Sequence, residues 1–209
     1  MKLYDCKTAP SPRRVRIFAA EKGVALQTVP VDLANGEQFS AEYRAINPDC
    51  VVPALELDDG TCLSEVVAIC QYLEELYPEP PLFGRTPAER AMSLMWNAKA
   101  EQQGLWACAD AFRNTAKGLK GRALPGPDDY EQIPELAERG RQRALAFLQR
   151  LDQQLGDDDY VAGDYFSIAD VTALIFVDFA TRLKIGIPDE ATNLRRWYDA
   201  VSSRPSAAA

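Results

Sequence analysis

Three prolines within four residues, Pro78, Pro80 and Pro81, interrupt this chain at the point where its periodicity changes. Proline lacks a backbone N–H and fixes φ, so neither a helix nor a central strand continues through such a segment. Before it, short alternating stretches are interleaved with helical ones. After it, every periodic stretch has helical spacing. The division predicts a mixed α+β domain at 1–78, a stiff linker at 79–86 and an all-α domain at 87–209.

In the first part, strands are expected at 2–4, 26–31, 52–57 and 61–63, and helices at 12–22, 40–46 and from Ser64 to about Tyr77. Gly23 suits a left-handed helix end, and Ser40 suits an N-cap. Asp58-Asp59-Gly60 suits a tight two-residue hairpin with positive φ angles. The order βαβαββα within eighty residues is the thioredoxin-like pattern. In the second part, helices are expected at 87–112, 135–155, from Ser167 to about Leu183, and 194–202, with a glycine- and proline-rich mobile loop at 118–129. Ser167-Ile168-Ala169-Asp170 reads as a capping box. Trp96 and Trp197 are expected in the core.

The chain carries a formal charge of -8, which repels phosphate backbones and anionic lipid, so neither nucleic acid nor a membrane is expected as a partner. No apolar run approaches the roughly 20 residues of a membrane span, and the start lacks a signal-like apolar region, so a cytoplasmic location is expected. Five cysteines without a C-x-x-C pair indicate neither a disulfide framework nor a dithiol motif. Histidine is absent altogether, which removes imidazole-activated nucleophiles and the commonest zinc ligand; no metal is expected.

The segment 47–73, NPDCVVPALELDDGTCLSEVVAICQYL, carries the sharpest signal. It resembles the glutathione-binding core of the glutathione S-transferase family. The resemblance extends over nearly the whole chain through RVRI, YVAGDYFSIAD and RRWYDAVSSRPS. It is strongest toward the fungal and bacterial subgroup typified by the second yeast glutathione transferase, which lacks the usual catalytic tyrosine, serine or cysteine. The resemblance implies a cis bond before Pro53, with Val51 and Val52 offering backbone to the cysteinyl part of glutathione. It implies Glu65 and Val66 at the γ-glutamyl end and Gln38 at the glycyl carboxylate. Val66 stands where the family usually has serine, a loss worth about 1 kcal/mol of affinity.

Many members place serine or cysteine in an S-P-x-x-R-x-V stretch beside the glutathione sulfur. Aligned on Arg13-Arg14-Val15, this chain has Ala9 there, followed by Pro10, Ser11 and Pro12. A free thiol near 8.5 is mostly protonated at neutral pH, and a helix N-terminus lowers that value. Thiolate stabilisation is therefore expected from backbone N–H groups and water at the start of the first helix, with Ser11 the nearest hydroxyl and Thr8 and Cys6 close behind. The resemblance further implies an electrophile pocket lined by Trp106, Phe112, Arg113 and Asn114, and a homodimer. The expected function is detoxifying conjugation of glutathione, as co-substrate, to small hydrophobic electrophiles. Ala9 and Val66 also suit a non-catalytic protein that keeps this fold for interaction or for carrying apolar ligands. The joint presence of Val52-Pro53, Glu65 and Gln38 favours the enzyme.

Overall fold

A computed structural model describes all 209 residues and divides them into two compact units. The first comprises Met1–Pro80 together with Leu124–Asp128 and Ala209; the second comprises Pro81–Ala123 and Asp129–Ala208.

The first unit is built on a four-stranded sheet of order β2-β1-β3-β4, formed by β1 (Lys2–Asp5), β2 (Gln27–Pro30), β3 (Ala54–Glu56) and β4 (Cys62–Ser64). β1 runs parallel to β2 and antiparallel to β3, and β4 closes an antiparallel pair with β3. This is the thioredoxin-like arrangement, with α1 (Pro10–Glu21) and α3 (Val66–Leu76) packed together and α2 (Ala41–Ile46) between β2 and β3. Val15, Ile17 and Phe18 of α1 and Ile69, Cys70 and Leu73 of α3 are buried. α1 ends as expected at Gly23, whose φ of 66° costs a residue without Cβ nothing. Ser40 caps α2 by accepting from the Tyr43 N–H at 3.1 Å.

Two local expectations are corrected. The hairpin loop has three residues rather than two, because Leu57 N–H donates to the Thr61 carbonyl at 2.8 Å. Only Gly60 has positive φ there, at 85°. Asp59 instead accepts the Thr61 N–H on its side chain at 2.9 Å, which suits a type I turn closed by a left-handed glycine. Ser64 ends β4 rather than starting α3, and Glu65 occupies the N-cap position with φ 68°.

In the second unit α4 (Pro87–Lys99) starts at the Thr86 cap and is followed by α5 (Trp106–Arg113). The expected single helix over this stretch is interrupted by a π turn, Ala100–Leu105. α5 packs on the long α6 (Pro134–Leu155), and α7 (Ile168–Arg182) runs through the core, with every residue from Ile168 to Val177 buried. The Ser167–Asp170 capping box forms as its sequence predicts. α8 (Thr192–Ser202) contributes the fully buried Trp197. The linker residues Leu82 and Phe83 are themselves buried, and the Leu82 carbonyl accepts the Ile168 N–H at 2.9 Å. No helix is long and apolar enough to cross a membrane.

Candidate active site

The turn leading into β3 is built around one peptide. The Val51 carbonyl accepts from the Tyr43 hydroxyl at 2.6 Å and from the Asn47 amide at 2.9 Å. Burial pushes the Tyr43 phenol far above its ordinary range, so it remains a donor throughout the working pH range. Tyr43 is in turn held edge-on by Tyr4, with ring centroids 5.9 Å apart. In a trans peptide the C=O and the following N–H point in opposite directions. The inward Val51 carbonyl therefore turns the Val52 N–H outward. Neither that N–H nor the Val52 carbonyl has a partner within the chain, and the Val52–Pro53 bond is cis. Pro53 is buried, and Val52 packs on the cluster of Tyr4, Val31, Tyr43 and Ala54. The Val51 carbonyl is consumed internally, which leaves Val52 as the available edge.

Glu65 projects into solvent from a backbone conformation uncommon for a residue with a Cβ. No side chain caps α3, so the first-turn N–H groups from Val66 onward are open for an anion. Gln38 lies in a single 3-10 turn, Glu37–Phe39, and its Oε1 is shielded from solvent without accepting a hydrogen bond.

At α1 the expectation of several free N–H groups is reduced to one. Pro10 and Pro12 have none to give, and the Ala9 N–H donates to the Cys6 carbonyl at 2.9 Å. Ser11 alone in that turn keeps an uncommitted N–H, and its hydroxyl is half-buried and unbonded. Cys6 and Thr8 face each other instead, Sγ to Oγ1 at 3.6 Å.

The second unit separates the four residues expected at the electrophile pocket. Trp106 and Phe112 are exposed, at 52% and 41%, and Phe112 meets Phe179 edge-on at 5.9 Å. Arg113 and Asn114 turn instead to the neck of the adjoining loop. Arg113 donates to the carbonyls of Ala123 at 3.1 Å and Arg122 at 2.7 Å; Asn114, buried, accepts the Ile133 N–H at 2.9 Å. These hydrogen bonds go to backbone groups, so both side chains brace the loop. Gln132, which sequence reasoning did not single out, completes that neck by donating to the Arg113 and Ala116 carbonyls.

Residues 8–76 match the N-terminal domain of the glutathione S-transferase family, and residues 115–205 match its C-terminal domain. The chain is 38% identical to glutathione S-transferase 2 of Saccharomyces cerevisiae, over 99% of this chain and 87% of that one. This chain belongs to the glutathione S-transferase family. The crystal structure of yeast Gtt2 has a TM-score of 0.91 at 38% identity, covering 100% of this chain and 99% of that one. A glutathione S-transferase domain-containing protein of Marinobacter aquaeolei has a TM-score of 0.91 at 37% identity, covering 99% of each. Maleylacetoacetate isomerase of Pseudomonas aeruginosa is 32% identical over 99% of this chain and 93% of that one. The family uses glutathione as a substrate, so the open Val52 edge, the uncapped start of α3 and Gln38 are the features of this member to be weighed as a tripeptide site.

Proposed function

We propose that this glutathione transferase binds glutathione on the first unit and conjugates its thiolate to small hydrophobic electrophiles. The observation that carries the reading is the outward, unpaired Val52 peptide edge, held by Tyr43 and Asn47 from behind. An extended cysteinyl group pairs with such an edge as a short added strand, exchanging two main-chain hydrogen bonds. The first-turn N–H groups of α3 meet the γ-glutamyl carboxylate, and the exposed Glu65 meets its ammonium. Rotating the Gln38 amide exchanges its donor and acceptor, so it serves the glycyl carboxylate or the neighbouring amide.

With Ala9 at the usual nucleophile-activating position, Ser11 is the group we assign to the thiolate, through its N–H and its hydroxyl together. The acceptor meets Trp106 and Phe112. We further propose a cytoplasmic location and, supported by the exposed Leu76 and Tyr77 on the first unit and Leu94 and Met95 on the second, a homodimer. Calorimetric titration with glutathione tests the reading, together with conjugation to an activated aryl halide. Submillimolar binding with turnover is the expected result. No binding at roughly 10 mM ligand would mean that the fold serves interaction or apolar carriage; binding with isomerisation but no conjugation would move the reaction to the related isomerases.

A further inference from the structure

The turn Ala100–Leu105 holds more residues than an α-helical turn, yet the backbone stays helical on both sides, with Ala100 at φ −62° and Trp106 at φ −65°. One extra residue in a turn rotates everything after it by about 100° relative to a continuous α-helix. The helix on its C-terminal side is α5, so this turn decides which side chains α5 presents.

Two glycines hold the chosen setting. Gly104, inside the π turn, sits so close to α7 that a Cβ there would lie 2.7 Å from the Phe176 ring and 3.0 Å from Phe147. Gly140 of α6 admits the backbone of α5, where a Cβ would lie 2.5 Å from the Ala107 carbonyl and 2.8 Å from the Ala111 N–H nitrogen. Arg143 adds a bond from its guanidinium to the Gln102 carbonyl at 2.8 Å. The small row of Ala107, Cys108 and Ala111 is thereby fully buried, and Trp106 and Phe112 are left outside.

We infer that the Ala100–Leu105 π turn is the specificity-setting element of this enzyme, fixing the rotation of α5 that offers Trp106 and Phe112 to the electrophile. The inference rests on the reading that these two aromatics meet the acceptor. Its acceptors are accordingly flat, apolar and aromatic, because stacking on exposed indole and phenyl faces rewards that shape.

Deleting one glutamine of the Gln102–Gln103 pair converts the π turn into an α turn and tests this. Trp96 and Trp197 are buried, so quenching of fluorescence by a soluble quencher reports Trp106. The expected result is an aryl-halide KM raised at least fivefold, glutathione KM within twofold of the parent, and reduced quenching of Trp106. Unchanged acceptor KM and quenching, or equal losses for both substrates, would overturn the inference. Should the deletion fail to fold, Trp106→Ala and Phe112→Ala decide: an acceptor KM unchanged in both also overturns it. A parent chain that binds no glutathione overturns the functional reading, and this inference with it.

Discussion

The indole N–H of Trp197 donates to the Asp170 carboxylate at 2.9 Å, and both side chains are completely buried. The same carboxylate accepts from the Val161 N–H, the Ser167 N–H and the Ser167 hydroxyl, joining α7, α8 and the segment before them. Burial outweighs these bonds and raises the carboxyl from 3.8 to about 6. An acid raised on folding binds more protons in the native state across that interval. Its contribution to stability is therefore greatest below about pH 4 and lost as pH rises through about 6. Relative to Asp170→Asn, the parent should lose roughly 3 kcal/mol between pH 4 and 7, about two units at 1.4 kcal/mol each. Urea unfolding of both proteins across that range measures it; a constant difference would refute the assignment.

Lys22 provides a second buried charge, in the first unit. Its ammonium is fully buried, pairs with Glu74 at 2.5 Å and donates to the Pro78 and Pro80 carbonyls, tying the ends of α1 and α3 to the proline segment. Lys22→Ala removes the ammonium that meets Glu74 and two carbonyls, and a broken buried pair costs about 3 to 5 kcal/mol. Glutathione affinity, followed by calorimetry below the transition, should be nearly unchanged, because Lys22 lies at the other end of α1 from Ser11. A transition midpoint within 2 °C of the parent would show that the clasp contributes little.

The fold was legible because its signals are local. Ser40, Gly23 and the Ser167–Asp170 box declare helix ends through their own side chains or conformational freedom, and the prolines after Tyr77 mark where the mixed part stops. The π turn was not legible, because apart from Gly104 the residues Ala100–Leu105 have ordinary helical composition, and the register is set by contacts with Phe176 and Gly140, distant in sequence. For the same reason Arg113 and Asn114 could be placed near α5's end from the sequence, whereas their commitment to the carbonyls and N–H of a returning loop could not. At α1, the missing donors were available in the sequence: Pro10 and Pro12 state directly that two N–H groups are absent. The bond from the Ala9 N–H to the Cys6 carbonyl depends on the path of the chain out of β1.

Gly140→Ala tests how tightly α5 is seated. Its methyl group would meet backbone atoms of Ala107 and Ala111, which cannot rotate aside as a flexible side chain would. Overpacking of this kind costs about 1 to 3 kcal/mol, and the backbone contact places this site at the upper end. The displaced α5 should also alter Trp106 quenching in the native state. A stability within about 0.5 kcal/mol of the parent, smaller than the usual cost of overpacking, would show that α5 and α6 can separate freely.

The last expectation concerns Ser11, flanked by two prolines. If the thiolate is held by the Ser11 N–H and hydroxyl, Ser11→Ala removes one of two hydrogen bonds to a charged sulfur, and the backbone donor survives. A hydrogen bond to a charged group is worth about 1.5 to 3 kcal/mol, equivalent to roughly one to two units of thiol pKa. The rate of conjugation below the thiol pKa should fall about tenfold or more, and the alkaline rise of the pH–rate profile should move upward by at least one unit. Glutathione affinity measured at low pH, where the thiol is protonated in both proteins, should not change. Thr8→Ala and Cys6→Ala should stay within about twofold, a barrier change near 0.4 kcal/mol, because those side chains address each other. Ala9→Ser adds a hydroxyl at the family's usual position and should partly restore the Ser11→Ala profile. A Ser11→Ala enzyme with an unshifted profile would assign the thiolate to the surviving backbone N–H and water, without the hydroxyl, and a Thr8 or Cys6 variant with the larger shift would move the activating group to the end of β1.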